Sequence, residues 1–286
     1  MTPWTDRSGK IVPVKLIAFA GSFIPGLLLA ASLWLGTLEP KPVTAAIHDT
    51  GDWAVRFLLM TLAVSPLRRI GHWPRLIMTR RILGLAALAY AAIHFCLYVV
   101  DQKFDLARVA GEIVLRIYLT IGFVALLGLV ALGVTSTDAA IRRLGANWQR
   151  LHRMVYPIAV LAMIHFFLQS KIDVFQATLM SGFFVLLMIY RAMHARGIAL
   201  KPLNLAGAAL VATIATAAIE FAWYAAATGV DPVLVFEANF DFSYTIRPAW
   251  WVGAAGLCTA LVGLARSGKA PRRPSRTGRL ARETAG

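Results

Sequence analysis

Apolar residues along this chain come in long runs broken by short polar stretches. The runs cover about residues 16–37, 52–67, 82–100, 113–133, 152–169, 174–190, 203–227 and 249–266. About 20 apolar residues in an α-helix cross a hydrocarbon core roughly 30 Å thick. The pattern therefore predicts an all-α integral membrane protein, a bundle of about eight transmembrane helices. Pro25 falls inside the first run and predicts a kink there. Pro66 marks the exit of the second, and the four residues 170–173 predict a tight hairpin between the fifth and sixth.

Composition agrees with this. The chain is 58% apolar and only 15% charged, whereas soluble domains run at about 45–50% and about 25%. The net charge of +15 would suit a nucleic-acid partner, but no soluble basic face is left to carry one. The charges instead mark topology. Arg7, Lys10 and Lys15, then Arg68 to Arg81, Arg142 to Arg153, Arg191 to Lys201 and the basic tail all fall on one side of the runs. Lys41, Lys103, Arg108, Lys171 and Arg247 fall on the other. Positive loops stay in the cytoplasm, so both termini are expected there, in a multi-pass membrane protein. The segment after Lys15 is too long for a secretory signal and reads as the first span. Residues 267–286 read as a basic disordered tail that attracts anionic lipid. Cys96 and Cys258 have no paired spacing, so no disulfide, zinc or iron–sulfur site is indicated.

Candidate chemistry sits in the spans. His94 lies thirteen residues beyond Arg81, and His165 lies at nearly the same depth measured from Leu151. His152, about 20 Å from His165 along a helix axis, marks the cytoplasmic edge. Two neutral imidazoles from facing helices can hold a haem by both axial positions. The Ala-rich surroundings leave room for a flat macrocycle, and without a CxxCH motif the haem would be b-type. The same pair could instead be hydrogen-bonded packing residues or part of a proton path. His152 could be structural or ligating. Arg80, Arg81 and Arg150 could meet haem propionates or a flavin phosphate. His72 and His194 fall in basic loops and His48 in an outer loop. Glu112 and Arg116 predict a helical ion pair, Arg56 a snorkelling cation, and Tyr156–Pro157 a bend. Glu220 stands in the seventh run with no partner legible in the sequence.

The segments GDWAVRFLLMTLAVSPLRR, RRILGLAALAYAAIHFCLYV and NWQRLHRMVYPIAVLAMIHFFLQSK resemble the haem-binding membrane subunit of bacterial periplasmic methionine sulfoxide reductase systems. That family belongs to a wider ferric-reductase-like transmembrane group. The resemblance spans about residues 10–195. It implies b haem on His94 and His165, with His152 on a third family histidine position, and it implies FMN. It also implies electron entry from the quinol pool or a cytosolic flavin reductase. Delivery would be to a periplasmic molybdopterin enzyme that repairs oxidised methionine. One haem is expected, and a second near His152 stays open, since the place of its partner falls near Arg80 and Arg81. Four regions follow: an N-terminal segment 1–15, a haem-binding core 16–195, two added helices in 196–266, and the tail 267–286. A stand-alone ferric reductase is disfavoured by the lack of a dinucleotide fingerprint. A cofactor-free proton-coupled transporter is the alternative from another class.

Overall fold

The structure, a computed structural model, describes residues 2–5, 8–38 and 40–267. Arg7 and nearly all of the basic tail lie outside the described residues. Twelve α-helices follow one another among the described residues. They are α1 (Pro13–Trp34), α2 (Pro42–Ile70), α3 (Arg80–Asp101), α4 (Leu106–Leu115), α5 (Ile117–Val134) and α6 (Asp138–Leu144). Then come α7 (Ala146–His152), α8 (Val155–Ser170), α9 (Phe175–Ala195), α10 (Pro202–Ala227), α11 (Pro232–Glu237) and α12 (Pro248–Ser267). A 3₁₀ turn, Pro74–Thr79, leads into α3.

Among the described residues, seven helical stretches are long and apolar enough to cross a membrane. The eighth expected span is α2. Its 29 residues exceed the about 20 a crossing needs. Asp49, Asp52 and Arg56 in its first half make it more polar than the others. It starts ten residues before the apolar run does, because the stretch expected as an outer loop is helical from Pro42.

Two other expected spans are broken. Arg116 adopts an extended backbone between α4 and α5. The Glu112–Arg116 ion pair forms, but across that break rather than within one helix. The fifth run is divided at Arg153 and Met154, between α7 and α8, so the bend precedes Pro157, which sits in the first turn of α8.

The prolines inside spans are met by specific side chains. Tyr90 of α3 inserts its hydroxyl beside Pro25, donating to the Ser22 carbonyl and accepting from the Gly26 N–H, at 2.9 and 2.7 Å. It thus bridges one opened rung of the α1 ladder. Pro66 in α2 has no N–H to offer the Leu62 carbonyl. Arg191 of α9 donates to that oxygen at 2.6 Å and lies over the Tyr156 ring. A buried carbonyl left without a donor costs about 1–3 kcal/mol, so Arg191 has a structural reason to be inside. One core joins α2, α3, α5, α8, α9, α10 and α12, with α10 and α12 packed on each other and on α9.

Candidate functional site

His94 projects from α3 and His165 from α8, and their ring centroids lie 6.2 Å apart with planes at 84°. Each ring is fixed in the same way. His94 Nδ1 lies 2.8 Å from the Ile47 carbonyl oxygen, and His165 Nδ1 lies 2.8 Å from that of Tyr118. A carbonyl can only accept, so Nδ1 carries the proton in both rings. Nε2 is then left with a lone pair, which is the state of a metal-ligating imidazole.

A glycine stands one helical turn after each carbonyl. A Cβ on Gly51 would lie 3.0 Å from His94 Nδ1, and one on Gly122 only 2.6 Å from His165 Nδ1. The missing side chains let each ring approach the helix backbone closely enough to reach its carbonyl. Histidine and carbonyl are 47 residues apart in both cases, and Ile-His-Phe recurs at 93–95 and 164–166. One hairpin device is used twice, in α2–α3 and in α5–α8.

The two imidazoles face a cavity of about 580 Å³. Its deeper wall is apolar, with Ala91, Ala125, Ala162, Leu58 and Leu129. Polar lining comes from His48 and Asp52 of α2 and from Gln169, Ser170, Asp173 and Gln176 around the α8–α9 turn. His48 therefore lies in α2 on the cavity wall, not in an outer loop. Arg56 does not run free to the surface either. It pairs with Asp52 at 3.2 Å and donates to Gln176 at 3.3 Å.

These residues fit a haem. Two metal–imidazole bonds of about 2 Å, plus about 1 Å from each nitrogen to its ring centre, place two axial rings about 6 Å apart, close to the observed separation. The cavity size falls within the roughly 300–1,000 Å³ of small-molecule and cofactor sites.

His152 is placed differently. It stacks on Trp148 at 3.9 Å, and its Nε2 lies 3.2 Å from Thr135 Oγ1. That hydroxyl spends its proton on the Ala131 carbonyl, so His152 Nε2 is the donor and has no free lone pair. A smaller cavity of about 280 Å³ brings Arg80 and Arg81 to the same place. Arg81 is paired with Asp138 at 2.7 Å. Arg150 is not among the cavity residues and faces Asn147. No second imidazole lines this cavity, so it does not fit a bis-imidazole haem as it stands.

Sequence reasoning missed Gly51, Gly122 and the two carbonyls. The repeated Ile-His-Phe, each with a glycine the same number of residues ahead of it, was the available signal.

Comparison with known proteins gives the following. The family described as "Ferric reductase like transmembrane component" matches residues 50–163. The chain is 38% identical over 192 residues to the protein-methionine-sulfoxide reductase heme-binding subunit MsrQ of Xanthomonas oryzae pv. oryzae, covering 65% of this chain and 88% of that relative. Identity to MsrQ of Xanthomonas campestris pv. campestris is 39% with the same coverage. Identity to MsrQ of Azospira oryzae is 39% over 159 residues, 55% of this chain and 68% of the relative. No solved structure matches.

Proposed function

Because the chain belongs to the MsrQ family of haem-binding subunits, we propose that it is the membrane electron-transfer subunit of a methionine sulfoxide reductase system. The observation that carries this reading is the pair of Nε2 lone pairs of His94 and His165 across one cavity. They would hold a b haem, which supplies one-electron transfer without an open coordination position. The Ile47 and Tyr118 carbonyls keep both rings in the ligating tautomer, and the apolar wall keeps water from the metal. Among the polar lining residues, His48, Gln169 and Gln176 would serve as donors to the carboxylates of a macrocycle. Arg80, and Arg81 if it leaves Asp138, would take an FMN phosphate at the smaller cavity.

The finer reading is as follows. The chain lies in the bacterial inner membrane with both termini in the cytoplasm and residues 16–195 as its haem-binding core. It accepts electrons from quinol or a cytosolic flavin reductase. It passes them to a periplasmic molybdopterin enzyme, where each sulfoxide takes two electrons and two protons to give thioether and water.

The test uses the chain purified in detergent from haem-replete cells. The expected result is a reduced b-type spectrum, and reoxidation of the dithionite-reduced chain by the partner reductase that goes beyond one partner equivalent only when a methionine sulfoxide is also present. A colourless preparation, or reoxidation indifferent to the partner, removes the proposal.

The charges at the cavity wall lead to a further expectation. Reduction adds an electron to the site, so a nearby cation favours it and an anion opposes it. Asp52 lines the cavity and Arg56 is its partner. Arg56→Gln is expected to lower the haem midpoint potential, Asp52→Asn to raise it, and the double variant to return toward wild type. Potentiometric titration of the three variants checks this, and shifts of the same sign in both single variants would contradict it.

A further inference from the structure

Helices α10 and α12 lie beyond the residues that match the ferric-reductase-like family, yet one end of α10 reaches the candidate haem site. Helix α8, which carries His165, ends in a tight turn at Lys171, with φ 55° and ψ −97°. A residue with a side chain adopts such a backbone only when its surroundings impose it. Here α10 does so. Trp223 Nε1 donates to the Lys171 carbonyl at 3.2 Å, and the Tyr224 hydroxyl donates to the Ile172 carbonyl at 2.7 Å. The Trp223 ring also packs on Phe167 of α8, with centroids 5.0 Å apart.

This end of α10 is itself held rigidly. Glu220, one turn before Tyr224 and 1% exposed, pairs with Arg247 at 2.6 Å. Arg247 immediately precedes α12, so the pair ties α12 to α10 at the level of the turn. A buried pair costs desolvation of both ions, which makes simple adhesion between helices a poor reason for it. The turn in question supplies Ser170, Asp173, Phe175 and Gln176 to the cavity, and Ser170 is five residues past His165.

We propose that the end of α10 is a clamp on the α8–α9 turn, with Trp223 and Tyr224 as positioning residues for the His165 ring and for the cavity lining that this turn supplies. Two backbone carbonyls of a turn with a left-handed residue are held by side chains from outside the haem-binding hairpins. Packing alone would be met by apolar contacts along α9, which α10 also makes. The inference rests on the haem reading above.

The test uses the full chain with haem bound. Tyr224→Phe removes one donor and keeps the ring, and the Trp223→Phe/Tyr224→Phe pair removes both donors while leaving an aromatic ring at each position. Thr259→Val is the control, because it cuts the Tyr190–Thr259 hydrogen bond between α9 and α12 and leaves the turn alone. The low-spin g-values and the midpoint potential report how the axial imidazoles are held. Hydrogen exchange of amides 172–176 in the haem-free chain reports the turn itself. The double variant is expected to shift g-values and potential, to release haem several-fold faster, and to raise exchange at the turn, with Tyr224→Phe partway. The control is expected to match wild type.

Wild-type g-values, potential and exchange in both donor variants would overturn the clamp while leaving the haem reading in place. A wild-type chain that takes up no haem overturns both. Tyr224→Phe loses one hydroxyl only, so its readouts decide the matter if the double variant does not insert.

Discussion

Replacing His94 or His165 by alanine is expected to strip haem from the chain without preventing insertion. Both rings have only Nε2 free, because a carbonyl claims the proton on each Nδ1. On the haem reading, each imidazole would supply one axial bond through that nitrogen. Changes one shell further out already weaken metal binding by roughly 10–100-fold, so loss of an axial ligand should exceed that. Insertion depends on the apolar length of the spans, which a single alanine does not alter. The check is the ratio of haem to protein, with the amount of inserted chain measured in parallel. His152→Ala is expected to behave otherwise. Its Nε2 is engaged with Thr135 and its ring with Trp148, so most of the haem should stay. A wild-type reduced spectrum in His94→Ala or His165→Ala, or a colourless His152→Ala, would contradict the assignment of the two cavities.

Gly122→Ala should come close to a ligand deletion although it removes nothing. The added methyl would stand 2.6 Å from His165 Nδ1 and 2.7 Å from Cε1, inside any allowed contact. The ring can move away only by giving up the Tyr118 carbonyl and tilting its Nε2. A loss in haem affinity of roughly 10–100-fold is expected, the scale of an outer-shell change at a metal site. Gly51→Ala should do less, since its contact with His94 is 3.0 Å and a small shift relieves it. Gly128→Ala is the control. Its Cβ would also come within 2.7 Å of a side chain, but the atoms it meets are Cγ1 and Cδ1 of Ile158, which does not line the cavity of His94 and His165. Alanine is favoured over glycine in a helix by about 1 kcal/mol, so haem loss at Gly122 could not be blamed on a weaker helix. Equal retention in Gly122→Ala and Gly128→Ala would show that the close approach to His165 does not matter.

What could be read from the residues was decided by chemistry that acts along the chain. Length and hydropathy are summed over about twenty consecutive residues, so the membrane bundle and the positions of α8, α9, α10 and α12 followed from the sequence within a few residues at most boundaries. The shared depth of His94 and His165 followed too, because helical rise is constant. The pairing of Glu112 with Arg116 followed from their spacing.

What could not be read was decided by contacts between distant segments. Whether two rings at one depth face each other depends on how α3 and α8 are rotated, and depth says nothing of rotation. The tautomer of each ring depends on a carbonyl 47 residues away. The breaks at Arg116 and at Arg153–Met154 carry no proline or glycine, so no residue type announced them. Glu220 had no legible partner because Arg247 is 27 residues off, across a hairpin. Helix formation is local, since each backbone bond reaches four residues. A cofactor cradle needs groups from four helices held at hydrogen-bonding distance, and only packing sets those distances.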